Sequence, residues 1–255
     1  ELIYNALREK HPEITVIGTV GPFSGGTDYE EGWKIADRLV IPVVDEHYYQ
    51  SPGWFIHNQD FYDGYRRDKS KVYLGEYASW GNTLYNALAE AAYMTSLERN
   101  GDVVVLASYA PMLAKEGHTQ WNPDLIYFNN TEVKPTVNYH VQQLFSLNSG
   151  HAWVQNTLAV ESRQESVARR IACSVVTDRK GDLVVKLVNL LPVTVSMQVK
   201  TEGMSDLLPS GEKTVLAGMP GDRDLRPETT EINAAPFFSV ELPAWSFTLI
   251  RLKKQ

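Results

Sequence analysis

Four short segments concentrate the side chains that could do chemistry: Gly21-Pro22-Phe23-Ser24-Gly25-Gly26, Asp45-Glu46-His47-Tyr48-Tyr49, Glu76-Tyr77-Ala78-Ser79-Trp80 and Ser108-Tyr109-Ala110-Pro111. Together they bring carboxylates, an imidazole, phenols and an indole. That mix suits a neutral carbohydrate, because carboxylates serve as nucleophile or general acid/base while aromatic rings pack on the C–H faces of a sugar. Glu76 is the sharpest candidate, since it closes an apolar run directly after Gly75, where a carboxylate gains nothing as core. A nucleophilic carboxylate must be ionised, fixed and placed beneath an anomeric carbon. The competing reading is a strand-end glutamate in a structural ion pair, and spacing alone leaves the two level. In the second segment side chains alternate, so Glu46 and Tyr48 share one side while Asp45, His47 and Tyr49 share the other. One set faces a site, unless the run is a structural histidine among packing tyrosines. A metal role for His47 lacks a second His or Cys at ligand spacing. Trp54, Trp80 and Trp121 are expected in loops beyond strands, where sugar stacking is open to them, and Trp33, Trp153 and Trp245 in the core. The glycine segment has neither a Gly-x-Gly-x-x-Gly nor a Gly-Lys-Ser/Thr pattern, so it is no phosphate cradle.

Each segment follows an apolar, β-branched run. The runs begin at residues 14, 40, 71 and 103, so 26, 31 and 32 residues separate them, about one βα unit each time. They are apolar throughout rather than alternating, as parallel strands covered on both faces are. Helical texture fills the gaps at 31–39, 54–67 and 83–99, the last capped by Asn82 and stopped at Asn100-Gly101, with a further helix at 135–145 whose Pro lies in its first turn. In parallel α/β folds reactive groups sit at the C-terminal ends of strands, which is where the four segments fall. Four such units fit a small open sheet or half of an eight-unit barrel. Beyond residue 150 the texture changes to short strands at 168–177, 182–188, 193–200, 237–242 and 246–252 between Gly, Pro and Asp turns, an antiparallel sandwich signature. The stretch 203–236 is expected to be a long loop with a short strand near 213–216.

Composition narrows the function classes. The chain has 255 residues, 24 Lys plus Arg against 31 Asp plus Glu, a net charge of −7 and an apolar fraction of 43%. That is enough for one or two packed domains. The acid excess argues against a duplex nucleic-acid binder and against docking on an anionic membrane. Cys173 is the sole cysteine, so no internal disulfide forms, and no Cys/His cluster suggests structural zinc. No apolar run approaches the ~18 residues of a membrane span. The opening Glu1-Leu2-Ile3-Tyr4 has helical texture and no initiator Met, which reads as a fragment. Half a barrel would leave two open sheet edges, so a homo-oligomer is a further expectation.

Several of these residues also form a familiar ordered set. Asp45-Glu46-His47-Tyr48-Tyr49-Gln50-Ser51-Pro52, Val72-Tyr73-Leu74-Gly75-Glu76-Tyr77-Ala78, Leu88-Ala89-Glu90-Ala91-Ala92, Leu97-Glu98-Arg99-Asn100, Ala107-Ser108-Tyr109-Ala110-Pro111 and Trp121-Asn122-Pro123-Asp124-Leu125-Ile126-Tyr127-Phe128 resemble family 51 glycoside hydrolases, the α-L-arabinofuranosidases. The similarity runs through residues 1–150, and 151–255 is similar to that family's C-terminal domain in position and texture. The resemblance implies an α/β plus all-β chain: the C-terminal half of a (β/α)8 TIM barrel at 1–150, its strands five to eight, followed by an antiparallel β-sandwich at 151–255. It implies a retaining hydrolase that removes terminal α-L-arabinofuranosyl groups from arabinan, arabinoxylan and related polysaccharides or oligosaccharides, with no metal or organic cofactor. It places the nucleophile on Glu76 and substrate-binding groups on Glu46, His47 and Tyr48, without fixing the register there; Trp80, from its place beyond a strand, is the further substrate-binding candidate. The family's acid/base belongs to a Gly-Asn-Glu-like motif on the fourth strand, and this chain has no Asn-Glu dipeptide. The chain would therefore hold the nucleophile without its partner and be inactive alone. The alternatives are a clan-related retaining glycosidase of endo-glucanase type using the same Glu, and a non-catalytic glycan-binding or assembly fragment. Export is common in the family, which points to a periplasmic or secreted protein, with the cytoplasm as the other possibility.

Overall fold

The computed structural model describes residues 1–204, 206–234 and 236–255. After α1 (Leu2–Lys10) the chain alternates strand and helix: β1 (Ile17–Thr19), α2 (Thr27–Leu39), β2 (Val43–Gln50), α3 (Pro52–His57), β3 (Lys71–Ser79), α4 (Leu84–Arg99) and β4 (Val104–Tyr109). The four strands form one parallel sheet in the order β1-β2-β3-β4. Strands β2 and β3 run further than their apolar starts, so Asp45 to Gln50 and Glu76 to Ser79 lie within the sheet rather than in loops beyond it. Helix α3 stops at His57 instead of continuing to Arg67. The Asn58 side chain takes the Trp54 carbonyl, and the Arg67 guanidinium donates to the carbonyls of Tyr62, Asp63 and Tyr65, which holds a series of turns.

Helix α4 is the centre of the molecule. Its N-cap is Thr83, not Asn82: the Thr83 hydroxyl accepts the Asn86 N–H while the Asn86 side chain accepts the Thr83 N–H. Only Tyr85, Glu98 and Arg99 of the helix escape full burial. A helix buried on every side lies between two layers. One layer is the parallel sheet with α3; the other is a second sheet described below.

After β4 comes a three-stranded sheet that the sequence pattern did not suggest, β5 (Leu113–Lys115), β6 (Ile126–Phe128) and β7 (Val133–Pro135), in the order β5-β6-β7. Helix α5 (Val137–Leu147) follows, with Thr136 as its N-cap and Pro135 left outside it at the end of β7.

The remaining elements are β8 (Ala152–Trp153), α6 (Glu165–Ala168), β9 (Ile171–Thr177), β10 (Leu183–Asn189), β11 (Val195–Lys200), β12 (Leu207–Ala217), β13 (Glu228–Asn233), β14 (Phe237–Leu242) and β15 (Ser246–Lys254). Six of them form a sheet in the order β13-β12-β15-β10-β9-β8, whose paired strands are all antiparallel, and β11 pairs with β14 in a separate antiparallel ribbon. In the stretch 203–236, the short strand expected near 213–216 lies within the longer β12, and part of the expected loop is β13, its partner. The alternation of the pair was hidden because polar residues occupy both faces; Thr214 and Thr229 meet across it through their hydroxyls at 2.9 Å.

The six-stranded sheet is covered on both faces. Leu183, Val185, Leu187, Ile250 and Leu252 pack with Phe238, Val240 and Leu242 of the ribbon. On the other face Val184, Val188, Phe247 and Leu249 join α4, Leu74 and Tyr48 in one continuous core. Lys186 lies between Val184 and Val188 on β10, fully buried, and its ammonium meets Glu98 at the end of α4 at 2.5 Å and the Asn148 carbonyl at 2.6 Å. Ser174 also donates to Glu98.

Strands β1 and β4 end the parallel sheet, and Ile17 is 41% exposed, Val105 44% and Leu106 54%. Open apolar edges recruit other strands. A preparation of residues 1–255 is therefore expected to self-associate, eluting with light-scattering masses above the 28.7 kDa of one chain. A stable monomer would contradict this.

Candidate active site

Glu76 owes its direction to a bulge. β2 and β3 stay in register to Glu46–Leu74 and resume at His47–Glu76, so Gly75 is an extra residue on β3. By simple alternation Glu76 would share the side of Val72 and Leu74, both fully buried against the helices. The bulge brings it out on the opposite face, beside Asp45, His47 and Tyr49. Ser108 fixes the bulge from β4, donating to the Gly75 carbonyl at 3.2 Å while meeting the Tyr73 hydroxyl at 2.8 Å.

The Tyr49 hydroxyl donates to Glu76 Oε2 at 2.8 Å. His47 Nδ1 stands 3.6 Å from the same oxygen, and His47 Nε2 is 2.8 Å from Asp45 Oδ2. Among the described residues no protein donor holds Glu76 Oε1. Burial, the Glu76 hydrogen bond and the Glu76 charge push the Tyr49 phenol well above its ordinary range, so it stays a donor. Burial also raises Asp45, against the opposing pull of His47.

Tyr49 continues into an aromatic wall. Its ring lies 4.9 Å from that of Trp121 and 5.8 Å from that of Trp80, and the two indoles are 5.5 Å apart. Trp80 is 48% and Trp121 40% exposed, so the wall is open to a ligand. Trp121 is supplied by the β5–β6 connection.

Two residues expected to bind substrate lie elsewhere. Glu46 and Tyr48 occupy the helix-facing side of β2 and are buried. Glu46 accepts from Trp33 Nε1 at 3.1 Å and from the Tyr62 and Tyr65 hydroxyls at 2.9 Å each, while Tyr48 meets the hydroxyls of Tyr62 and Tyr93. Both are corrected from sugar contacts to core. The cause is strand alternation: with the odd-numbered set on the Glu76 side, the even-numbered set must face the helices. His47 and Trp80 do lie with Glu76. Trp54 packs on Tyr48, Phe55 and Tyr93 rather than in the site, and Trp153, expected in the core, is partly exposed. Asp45 and Tyr49 were missing from the expected set; their shared parity with His47 was the signal. Among the described residues no group of three His, Cys, Asp or Glu side chains is placed to hold a metal ion.

Residues 75–246, about two thirds of the chain, match the family model for the α-L-arabinofuranosidase C-terminal domain. The chain belongs to the family 51 α-L-arabinofuranosidases. It is 52% identical over 145 residues to an extracellular exo-α-L-arabinofuranosidase of Streptomyces chartreusis, an alignment covering 57% of this chain and 18% of that protein. It is 32% identical to a probable α-L-arabinofuranosidase A of Aspergillus terreus, covering 97% of this chain and 38% of the relative. Among solved structures, the arabinose-bound MgGH51 α-L-arabinofuranosidase superposes with a TM-score of 0.87 at 27% identity, over 99% of this chain and 42% of that one. The chain thus spans well under half the length of each of these three relatives.

In this family member a buried carboxyl underpins the site from behind. Glu90 of α4 is fully buried and accepts from the Ser79 N–H, the Ser79 hydroxyl and the Asn138 amide, each at 2.8 Å. Asn138 in turn accepts from Asn82, which also holds the Asp124 carbonyl. The network ties the end of β3, next to Trp80, to the connection that carries Trp121. Burial pushes Glu90 up to about 7, with those donors opposing. A raised carboxyl stabilises the fold fully below its unfolded value, and that contribution is lost as pH rises through the folded one. The shift corresponds to about 3 kcal/mol. Denaturant titrations at pH 4.5 and 8 should show Glu90→Gln losing less stability with rising pH than the parent, by roughly that amount. Parallel pH curves for the two proteins would rule the effect out.

Proposed function

We propose that this chain is the nucleophile-bearing part of a retaining, exo-acting α-L-arabinofuranosidase that cleaves terminal arabinofuranosyl groups from arabinose-containing glycans. On this reading β1 to β4 are strands five to eight of a (β/α)8 barrel, and the six-stranded sheet with the β11–β14 ribbon is its C-terminal sandwich. The observation that carries the proposal is Glu76 itself: a carboxylate turned out by a glycine bulge, with one oxygen held by Tyr49, whose ring adjoins two exposed indoles. The names of the relatives support the substrate class, and the Streptomyces relative's description as extracellular supports export.

Glu76 Oε1 attacks the anomeric carbon as the glycosidic C–O bond breaks, and the leaving oxygen takes a proton from an acid/base carboxyl contributed from outside these 255 residues. The product is a glycosyl ester on Glu76. Water, deprotonated by the same acid/base, then attacks the anomeric carbon and releases arabinose with retained configuration and a free Glu76 carboxylate. Tyr49 keeps Oε2 occupied, so the carboxylate presents one oxygen in a fixed direction. Trp80 and Trp121 offer apolar faces to the sugar rings. An arabinofuranosyl inactivator that forms a slowly hydrolysed ester should label one peptide of the complete enzyme, the one containing Gly75-Glu76-Tyr77. Label on another carboxylate would sink the proposal.

A further inference from the structure

We infer that Asp45 is a positioning residue that sets the nucleophile through His47; the inference rests on Glu76 being that nucleophile. An ionised carboxylate only accepts hydrogen bonds, so the 2.8 Å contact from Asp45 Oδ2 places a proton on His47 Nε2. That choice turns the other ring nitrogen, Nδ1, to Glu76 Oε2 at 3.6 Å. Fixing one nitrogen of a histidine by a carboxylate fixes the ring's orientation and what its far edge offers.

The second oxygen of Asp45 supplies independent support. Oδ1 is buried against the backbone of Gly75, whose N–H favours the charged form of the carboxylate. It fills the space left by the missing side chain of Gly75: a Cβ there would fall 2.0 Å from Asp45 Oδ1 and 3.1 Å from His47 Nε2. The residue before Glu76 is therefore glycine for two linked reasons, the bulge and the carboxylate packed against it. Asp45, His47 and the Gly75 bulge form one wedge against Glu76. The edge of the His47 ring at 3.6 Å and the Tyr49 hydroxyl at 2.8 Å bound the space Glu76 Oε2 occupies, and Oε1 remains to react. Without Asp45 the ring can turn, exchange its tautomer and pull the carboxylate from line.

The test uses the complete enzyme and aryl arabinofuranosides. Asp45→Asn and Asp45→Ala should each lower kcat by about 10- to 100-fold, as losses of such supporting carboxylates do, with KM nearly unchanged; Gly75→Ala should reproduce the kcat loss. Nitrogen-15 NMR of the unaltered enzyme should show the His47 proton on Nε2, a measurement that needs no variant to fold. A proton on Nδ1 alone, or a folded Asp45 variant with full kcat, would overturn the inference. Glu76→Ala is assayed in parallel. Full activity there defeats the nucleophile reading and this inference with it, whereas a dead Glu76→Ala beside fully active Asp45 variants defeats the positioning role alone.

Discussion

Replacing Glu76 by alanine in the complete enzyme is expected to lower arabinoside turnover by about 10^5- to 10^6-fold, the scale seen when a covalent nucleophile is removed. The loss should extend to aryl arabinosides with good leaving groups, since those dispense with the general acid and not with the nucleophile. Stability should change little, because the Glu76 side chain is 43% exposed and makes one hydrogen bond. Azide should restore part of the rate by entering the vacated space, and the azide product should have inverted configuration because only one displacement then occurs. Activity retained by the alanine variant, or rescue with retention, would falsify the assignment.

Lys186→Met should produce the largest loss of stability. The change leaves the Glu98 carboxylate in the core with Ser174 but without its cation. Burial already pushes Glu98 up and Lys186 down, each against the other's charge. Breaking such a pair costs about 3–5 kcal/mol, which for a chain of this size lowers Tm by roughly 10 °C. Adding Glu98→Leu should recover most of the loss, because an apolar pair no longer has a buried charge to solvate. Calorimetry of the single and double variants decides it: a double variant no more stable than the single would show that the ion pair is not the cause.

The parallel strands were legible because runs such as Val103 to Ala107 are apolar on both faces and stand one βα unit apart. Glu76 was legible because a carboxylate closing such a run, directly after glycine, has no packing reason to be there. Its surroundings were harder. Asp45 to Tyr49 places polar and aromatic residues on both parities, so alternation alone could not say which set meets Glu76. The answer depends on one inserted residue in the neighbouring strand, and a bulge at Gly75 leaves no periodic trace in β2. Glu46 misled for a related reason: a buried carboxylate is tolerable when Trp33, Tyr62 and Tyr65 all donate to it, and those donors come from segments 13 to 19 residues away. Of the β12–β13 pair only the stretch near 213–216 was legible, because Glu212, Thr214, Thr229 and Glu231 carry no apolar face to read.

Helix α4 belongs to the parallel sheet and to the antiparallel one at once, through a single core that reaches from Leu74 to Phe247. Cutting the chain between residues 150 and 151 would strip the antiparallel sheet of its inner cover and leave the helix with half of its neighbours. Chimeras between family members should accordingly fail when the crossover falls between α4 and β9, unless the residues facing across that seam, Glu98 with Lys186 among them, travel together. The stretch that matches the family model, beginning inside β3 and ending at the start of β15, crosses residue 150 without a break. That stretch holds the helix together with most of the antiparallel sheet packed on it.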